Sequence, residues 1–361
     1  VLPDGGAGAA QRTTRGGLRR LPDNPNPQRV MVDDALIGDL PLLMVGDRLR
    51  SPVEGVLHYT FGNYKIVASS PPEAEVTATP ASFRGSLEGD DSRITVATFN
   101  VENLWAGSDD GKFNRLASIV VEAMSSPDII GVQEIQDDTG PADDGTVSAQ
   151  STLERLVAAI RSAGGPGYAA RTIDPRNNAD GGRPGANIRN AYLYDSERIE
   201  LVAGTLRRLG DDSPAFEGSR KPLIARFRLK ASGGELTLIN VHLASKRNQN
   251  GLFAPESPGH DSREPVRIRQ AELIREETRG LARDGHAYYV TGDFNDFEFS
   301  PTLRTLVGEH SVNLVERLPA QQRFDYNHRG LSQALMHGVV AKRQLDGRQA
   351  EYEILHANAL L

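Results

Sequence analysis

From Ile94 onward the chain repeats one local pattern: short runs rich in β-branched and aromatic residues. They are "ITVATFN", "DIIGVQE", "NAYLYD", "PLIARFRL", "LTLINVHL", "AYYVTGDF" and "QALMHGVVA". Amphipathic helix candidates stand between only some of them: "STLERLVAAIRSAG", with Ser151 and Glu154 at capping-box spacing, and "VRIRQAELIREETRGLA". Parallel neighbours need a long crossover, whereas antiparallel neighbours can be joined directly. Mixed connections of this kind predict a layered α/β domain.

The chain before Ile94 reads differently. Residues 1–22 are rich in Gly, Arg and small side chains, and no structure is expected there. The stretch that follows carries short β-type runs broken by Pro, Gly and Asp. Residues 1–68 are thus expected to hold a partial β domain. Residues 69–92, Pro- and Ser-containing and without periodicity, read as a linker, and 93–361 as the main domain.

Composition excludes several chemistries. No apolar run approaches the ~18 residues of a membrane span. Cysteine is absent, which rules out thiolate zinc sites, cysteine nucleophiles and disulfides. A net charge of −7 and a pI of about 5.7 argue against a broad basic face, though not against a local basic groove. The chain opens on Val1 with no apolar signal-peptide core behind it, so either processing removed one or the sequence is an excised piece.

Side chains alternate across a strand, so residues two apart share a face. Leu236 and Leu238 lead to Asn240 and His242, Ile130 and Val132 to Glu134, and Ile94 and Val96 through Thr98 to Asn100. Asp293 and Asn295 share a side in "TGDFN". Singly, each polar residue could cap a turn or meet solvent where its strand emerges. Four strands ending the same way point instead to one site held on a rigid scaffold. Two carboxylates with amides and no thiol form a hard oxygen site that suits Mg²⁺, Mn²⁺ or Ca²⁺. A nearby histidine adds acid–base chemistry, and together these parts describe metal-assisted hydrolysis of a phosphate ester. Arg189, Arg220, Lys221, Lys246 and Arg247 are the basic residues that could hold phosphate.

In this order, "TFNVENLW", "PDIIGVQEIQD", "NVHLASK" and "TGDFND" resemble the endonuclease/exonuclease/phosphatase superfamily, whose fold is deoxyribonuclease I-like. "GGRPGANIRNAYLYD" and "SRKPLIARF" resemble its bacterial extracellular nuclease branch, and the segment before residue 68 resembles the OB-like region of that branch. The resemblance covers about residues 20–355. It implies a four-layer αββα sandwich with a partial N-terminal OB-like β domain. It also implies Glu134 as metal ligand with Asn100 in support, His242 as the catalytic histidine, and Asp293 with Asn295 orienting water and phosphate. Arg220, Asn187, Arg189 and Asn240 would bind substrate or phosphate. The implied cofactor is Mg²⁺ (or Mn²⁺ or Ca²⁺), the partner nucleic acid, DNA first, and the location outside the cell, at its surface or in the periplasm.

Two departures qualify the resemblance. The family carries an Asp that orients a catalytic histidine where this chain has Met336, and the adjacent His337 should face the opposite side of its strand. The family's terminal Ser-Asp-His motif has no counterpart in "EILHANALL", where His356 is the candidate substitute. A C-terminally incomplete or weakened nuclease is the expectation. The alternatives are a phosphoesterase acting on phospholipid or inositol phosphate, and a catalytically impaired nucleic-acid-binding relic.

Overall fold

A computed structural model describes residues 11–22, 30–40, 43–75, 84–246, 249–251, 253–256, 259–328, 330–345 and 350–357. Arg247 lies outside the described residues. Two large sheets carry the main domain. The first contains β1 (Val96–Leu104), β2 (Ile129–Ile135), β3 (Ala169–Arg171) and β4 (Arg189–Tyr194), in the order β1-β2-β4-β3. The second contains β5 (Ile199–Leu201), β6 (Arg207–Arg208), β7 (Leu223–Leu229) and β8 (Glu235–His242). It also holds β9 (Tyr288–Asp293), β10 (Ser311–Asn313) and β11 (Met336–Ala341). Its order is β5-β7-β8-β9-β11-β10, with β6 alongside β7.

β1 and β2 are parallel and are joined through α1 (Asp110–Ser118); β8 and β9 are parallel and are joined through α3 (Glu264–Arg283). The more directly joined pair β7/β8 is antiparallel, as are β2/β4 and β9/β11.

Alternation along each strand feeds two cores at once. On the outer face of the first sheet, Ile130 and Val132 pack with Phe113 and Leu116 of α1 and with Leu153 and Leu156 of α2 (Gln150–Ser162). On the outer face of the second, Ile239, Val241 and Val290 meet Ile274 of α3 and Leu303 of α4 (Pro301–Val307). Between the sheets lie Ile129, Tyr192, Phe227, Leu238, Tyr289 and Val340. Helix, sheet, sheet and helix therefore form the expected four-layer sandwich.

Local expectations fared unevenly. The Ser151–Glu154 capping box does not form, because α2 already begins at Gln150 and no side chain of the helix caps it. The Thr152 N–H instead donates to Asp138, an acceptor brought in by the loop after β2. Residues 11–22 are packed rather than structureless: Leu18–Arg19 runs parallel to Leu331–Ser332. Gly17 permits that approach, since a Cβ there would stand 2.5 Å from Ser332 Oγ. Further on, Asn63–Ala68 pairs with both Gly55–Thr60 and Met31–Asp33, and Ala74–Glu75, in the expected linker, pairs with Arg48–Leu49. Tyr59 Oη donates to the Phe253 carbonyl, tying this small sheet to the loop after β8.

Candidate active site

Parallel pairing of β8 with β9 and antiparallel pairing of β9 with β11 set His242, Asp293 and Met336 side by side. Glu134 arrives from the other sheet by a route that alternation does not give. Ile130 and Val132 face the helices, so a regular strand would turn Glu134 toward them as well. Its backbone has φ +65°, a left-handed conformation costly for a residue with a Cβ, and the side chain swings toward β8 and β9 instead. The partner strand is irregular at the same level: β1 bulges between Asn100 and Leu104, with Glu102 and Asn103 also left-handed. The Asn103 N–H freed by that bulge donates to Glu134 Oε2.

These ends converge on one cluster. His242 Nε2 lies 3.8 Å from Glu134 Oε1 and 3.7 Å from Asp293 Oδ2, beyond hydrogen-bond length. Asn100 Nδ2 donates to Glu134 Oε1 at 3.0 Å and to Asp293 Oδ2 at 3.2 Å, while its Oδ1 accepts from Glu102 N–H. Asn100 thus clamps both carboxylates and turns its own oxygen away from them. Glu134 and Asp293 line a cavity of about 1250 Å³ that runs between the sheets; His242, 4% exposed, stands behind its wall. Burial, with Arg220 nearby, holds the His242 imidazole neutral by lowering its pKa well below the usual histidine value. Burial also raises the Asp293 carboxyl to about 6, with the charge of Glu134 adding to the effect.

The cluster fits a divalent cation. Glu134, His242 and Asp293 each offer one donor atom, all within 4.8 Å of one another. Donors ~2.1 Å from a shared ion stand about 3–4 Å apart, as His242 Nε2 does from each carboxylate, and a neutral imidazole leaves a lone pair for it. Two carboxylates and one imidazole supply the charge and the donors that a divalent cation takes.

Other expected residues divide. Asn295, left-handed at φ +51°, lines the cavity and reaches back to Asp293 Oδ1 through its N–H. Arg220 is buried, donates to the Leu243 carbonyl and acts electrostatically on both His242 and Asp293. Asn240 instead ties the sheets together, accepting from Gln133 and donating to the Val132 and Ala191 carbonyls. The Asn187 amide donates to Asp137 and to the Thr146 carbonyl, and Arg189 pairs with Asp174; neither is on the cavity wall. Lys221 pairs with Asp180 in the interior. Lys246 pairs with Asp296 and caps the Phe297 ring.

Asp296 is therefore structural, although it shares "GDFND" with two site residues. Burial opposes its ionisation, but Lys246 and Arg267 outweigh that and hold its carboxyl below the usual range. Beside it, His337 faces away from the cavity as expected, with Nε2 2.8 Å from the Asp296 carbonyl. Burial lowers its pKa to about 4, so below about 6.5 the unfolded chain takes up a proton that the folded one refuses. Stability is expected to fall as pH drops from 6.5 to 4, by on the order of 3 kcal/mol from this residue. Thermal melts from pH 7 to pH 4 should show a smaller loss in His337→Gln; equal losses would contradict this. His356 stacks on Phe324 at 3.8 Å between ring centroids and does not join the cluster.

Two residues escaped sequence reasoning. Arg267, wholly buried on α3, pairs with both Asp296 and Asp261; an Arg on the apolar stripe of "VRIRQAELI" was the available signal. Asp325 lines the same cavity as Glu134 and Asp293, and no local motif marked it.

Comparison with known proteins places these observations. Residues 1–79 match a family model described as a domain of unknown function (DUF8508). No curated protein matches. Among solved structures, a humanized D. rerio TDP2 is similar at 16% identity and a TM-score of 0.46, over 69% of this chain and 83% of that one. The human Nocturnin catalytic domain gives the same four values. An endonuclease/exonuclease/phosphatase family protein from Bacteroides thetaiotaomicron is similar at 18% and 0.46, over 69% and 81%. Similarity this low says nothing of substrate. The Endonuclease/Exonuclease/phosphatase family model matches residues 97–331, well over half of the polypeptide and all four site strands as far as Asp293, and the chain belongs to that family.

Proposed function

We propose that the protein is a divalent-metal-dependent phosphodiesterase that hydrolyses nucleic acid, DNA first, outside the cell. The observation that carries the reading is the Glu134–His242–Asp293 cluster, assembled from both sheets at the wall of a long open cavity. When bound, Mg²⁺ or Mn²⁺ supplies charge stabilisation to a phosphoryl oxygen. Glu134 and Asp293 present the negative charge that would hold it, and Asn100 keeps the two carboxylates in register. Burial, aided by Arg220, keeps His242 neutral, so that the ring retains a lone pair on one nitrogen. Asn295, fixed through Asp293, orients the group that enters the cavity beside it.

Plasmid nicking with added Mg²⁺ or Mn²⁺ tests this reading. Supercoiled DNA is expected to relax with either ion, and activity to disappear with EDTA and return on readdition. Nicking that persists after chelation would sink the metal dependence. Hydrolysis of a phospholipid or inositol phosphate in place of DNA would move the substrate to the alternative class. Recovery of the protein from the culture medium tests export.

A further inference from the structure

Asp325 opens the hairpin formed by Tyr326–His328 and Leu331–Gln333, and its own N–H donates to the Gln333 carbonyl. Its carboxyl oxygens accept the backbone N–H groups of Leu335, at 3.0 and 3.1 Å, and of Met336, at 3.0 Å. Main chain thus fixes the group, and its direction depends on no flexible partner. Met336 stands opposite Asp293 in the β9–β11 ladder, so the same turn that grips Asp325 abuts the cluster. Asp325 is partly exposed, and the cavity it lines is the one lined by Asn100, Glu134, Asp293 and Asn295.

The groups acting on it are Asp293 at the end of β9, Glu298 just beyond, and the Tyr352 phenol of the C-terminal segment. Two backbone N–H donors favour its carboxylate form, but burial opposes that form more strongly, aided by both acidic neighbours. Its pKa rises to about 8. Burial at the cavity wall therefore favours the protonated carboxylic acid over the carboxylate.

We infer that Asp325 is the proton donor to the leaving oxygen of the phosphoester, an inference that rests on the phosphodiesterase reading above. Water adds to phosphorus as the bond from phosphorus to the leaving oxygen breaks. That oxygen takes the Asp325 proton and departs as an alcohol. The attacking water sheds its own proton to solvent, and Asp325 takes one back from solvent through the open cavity. An alkoxide leaving group requires such a donor, whereas a p-nitrophenolate does not.

The test compares Asp325→Asn with the unsubstituted protein, both loaded with Mn²⁺, on plasmid DNA and on bis(p-nitrophenyl) phosphate. Asn keeps one oxygen for the backbone donors and changes no charge relative to the protonated acid. Plasmid cleavage is expected to fall ~10²–10⁴-fold and hydrolysis of the aryl ester by far less. Melting temperature and Mn²⁺ affinity should match the unsubstituted protein. Loss of Mn²⁺ affinity, or an equal fall on both substrates, overturns the role of Asp325 while leaving the hydrolase reading in place. If the unsubstituted protein hydrolyses neither ester, the hydrolase reading fails first and this inference with it. A second measurement needs no variant: the plasmid rate alone should fall as pH rises past about 8, and a parallel fall on the aryl ester would count against the donor.

Discussion

Glu134→Gln is expected to lower phosphodiesterase activity by ~10³-fold or more while leaving the fold in place, since charge stabilisation by a bound ion is worth several kcal/mol at about 1.4 kcal/mol per tenfold. The amide keeps one oxygen, which serves the Asn103 N–H so that the β1 bulge keeps a partner, while the Asn100 amide loses its acceptor at Oε1 and retains Asp293. What disappears is the negative charge that pairs with Asp293 to attract a cation. Two readouts check this, the nicking rate at saturating Mn²⁺ and the Mn²⁺ affinity by calorimetry. Weaker metal binding and a slower rate should appear together. If the variant cleaves DNA at the original rate, the cluster is not the active site.

Arg267→Met should cost about 3–5 kcal/mol of stability, the range for breaking a buried ion pair by removing one partner. Arg267 is fully buried, donates from Nε to Asp296 Oδ2 at 2.9 Å, and also pairs with Asp261. Met fills much the same volume, so the loss reports two stranded carboxylates rather than a cavity. Lys246 still faces Asp296 Oδ1 at 2.9 Å, which keeps the effect from being larger. Urea denaturation at pH 7 measures it, and a loss below about 1 kcal/mol would mean that water reaches the pair and screens it. Activity should suffer indirectly, because Arg267 also donates to the Ala244 carbonyl, two residues beyond His242, and Asp296 adjoins Asn295.

Much of the layered architecture was legible because strand and helix periods are local properties. "LTLINVHL" shows it well: Leu238, Asn240 and His242 do face the second sheet's inner side, and Ile239 and Val241 the helices. The same rule misled at Glu134. The residue reaches the site by breaking alternation at φ +65°, and no period in "DIIGVQE" announces a backbone reversal that only the packing around it can sustain. The basic residues were the weakest part. Lys221, Arg189 and Lys246 were expected at phosphate, yet each has a carboxylate partner far away in sequence. Charge can be counted in a sequence, but a partner cannot.

By itself the sequence determined the family, the seven main strands with two of the helices, and which strand ends carry carboxylate, amide and imidazole. Those features depend on side-chain type and on short-range periodicity, which survive in a linear string. Only the tertiary structure decided what Asp296 of "GDFND" does, buried under Lys246 and Arg267 while Asp293 and Asn295 line the cavity. Only it brought Asp325 to the same wall, through a hairpin that folds back onto Leu335 and Met336. The physical reason is common to both. Ionisation and hydrogen bonding of a carboxylate depend on what surrounds it within a few ångströms, and those neighbours come from segments far apart in the chain.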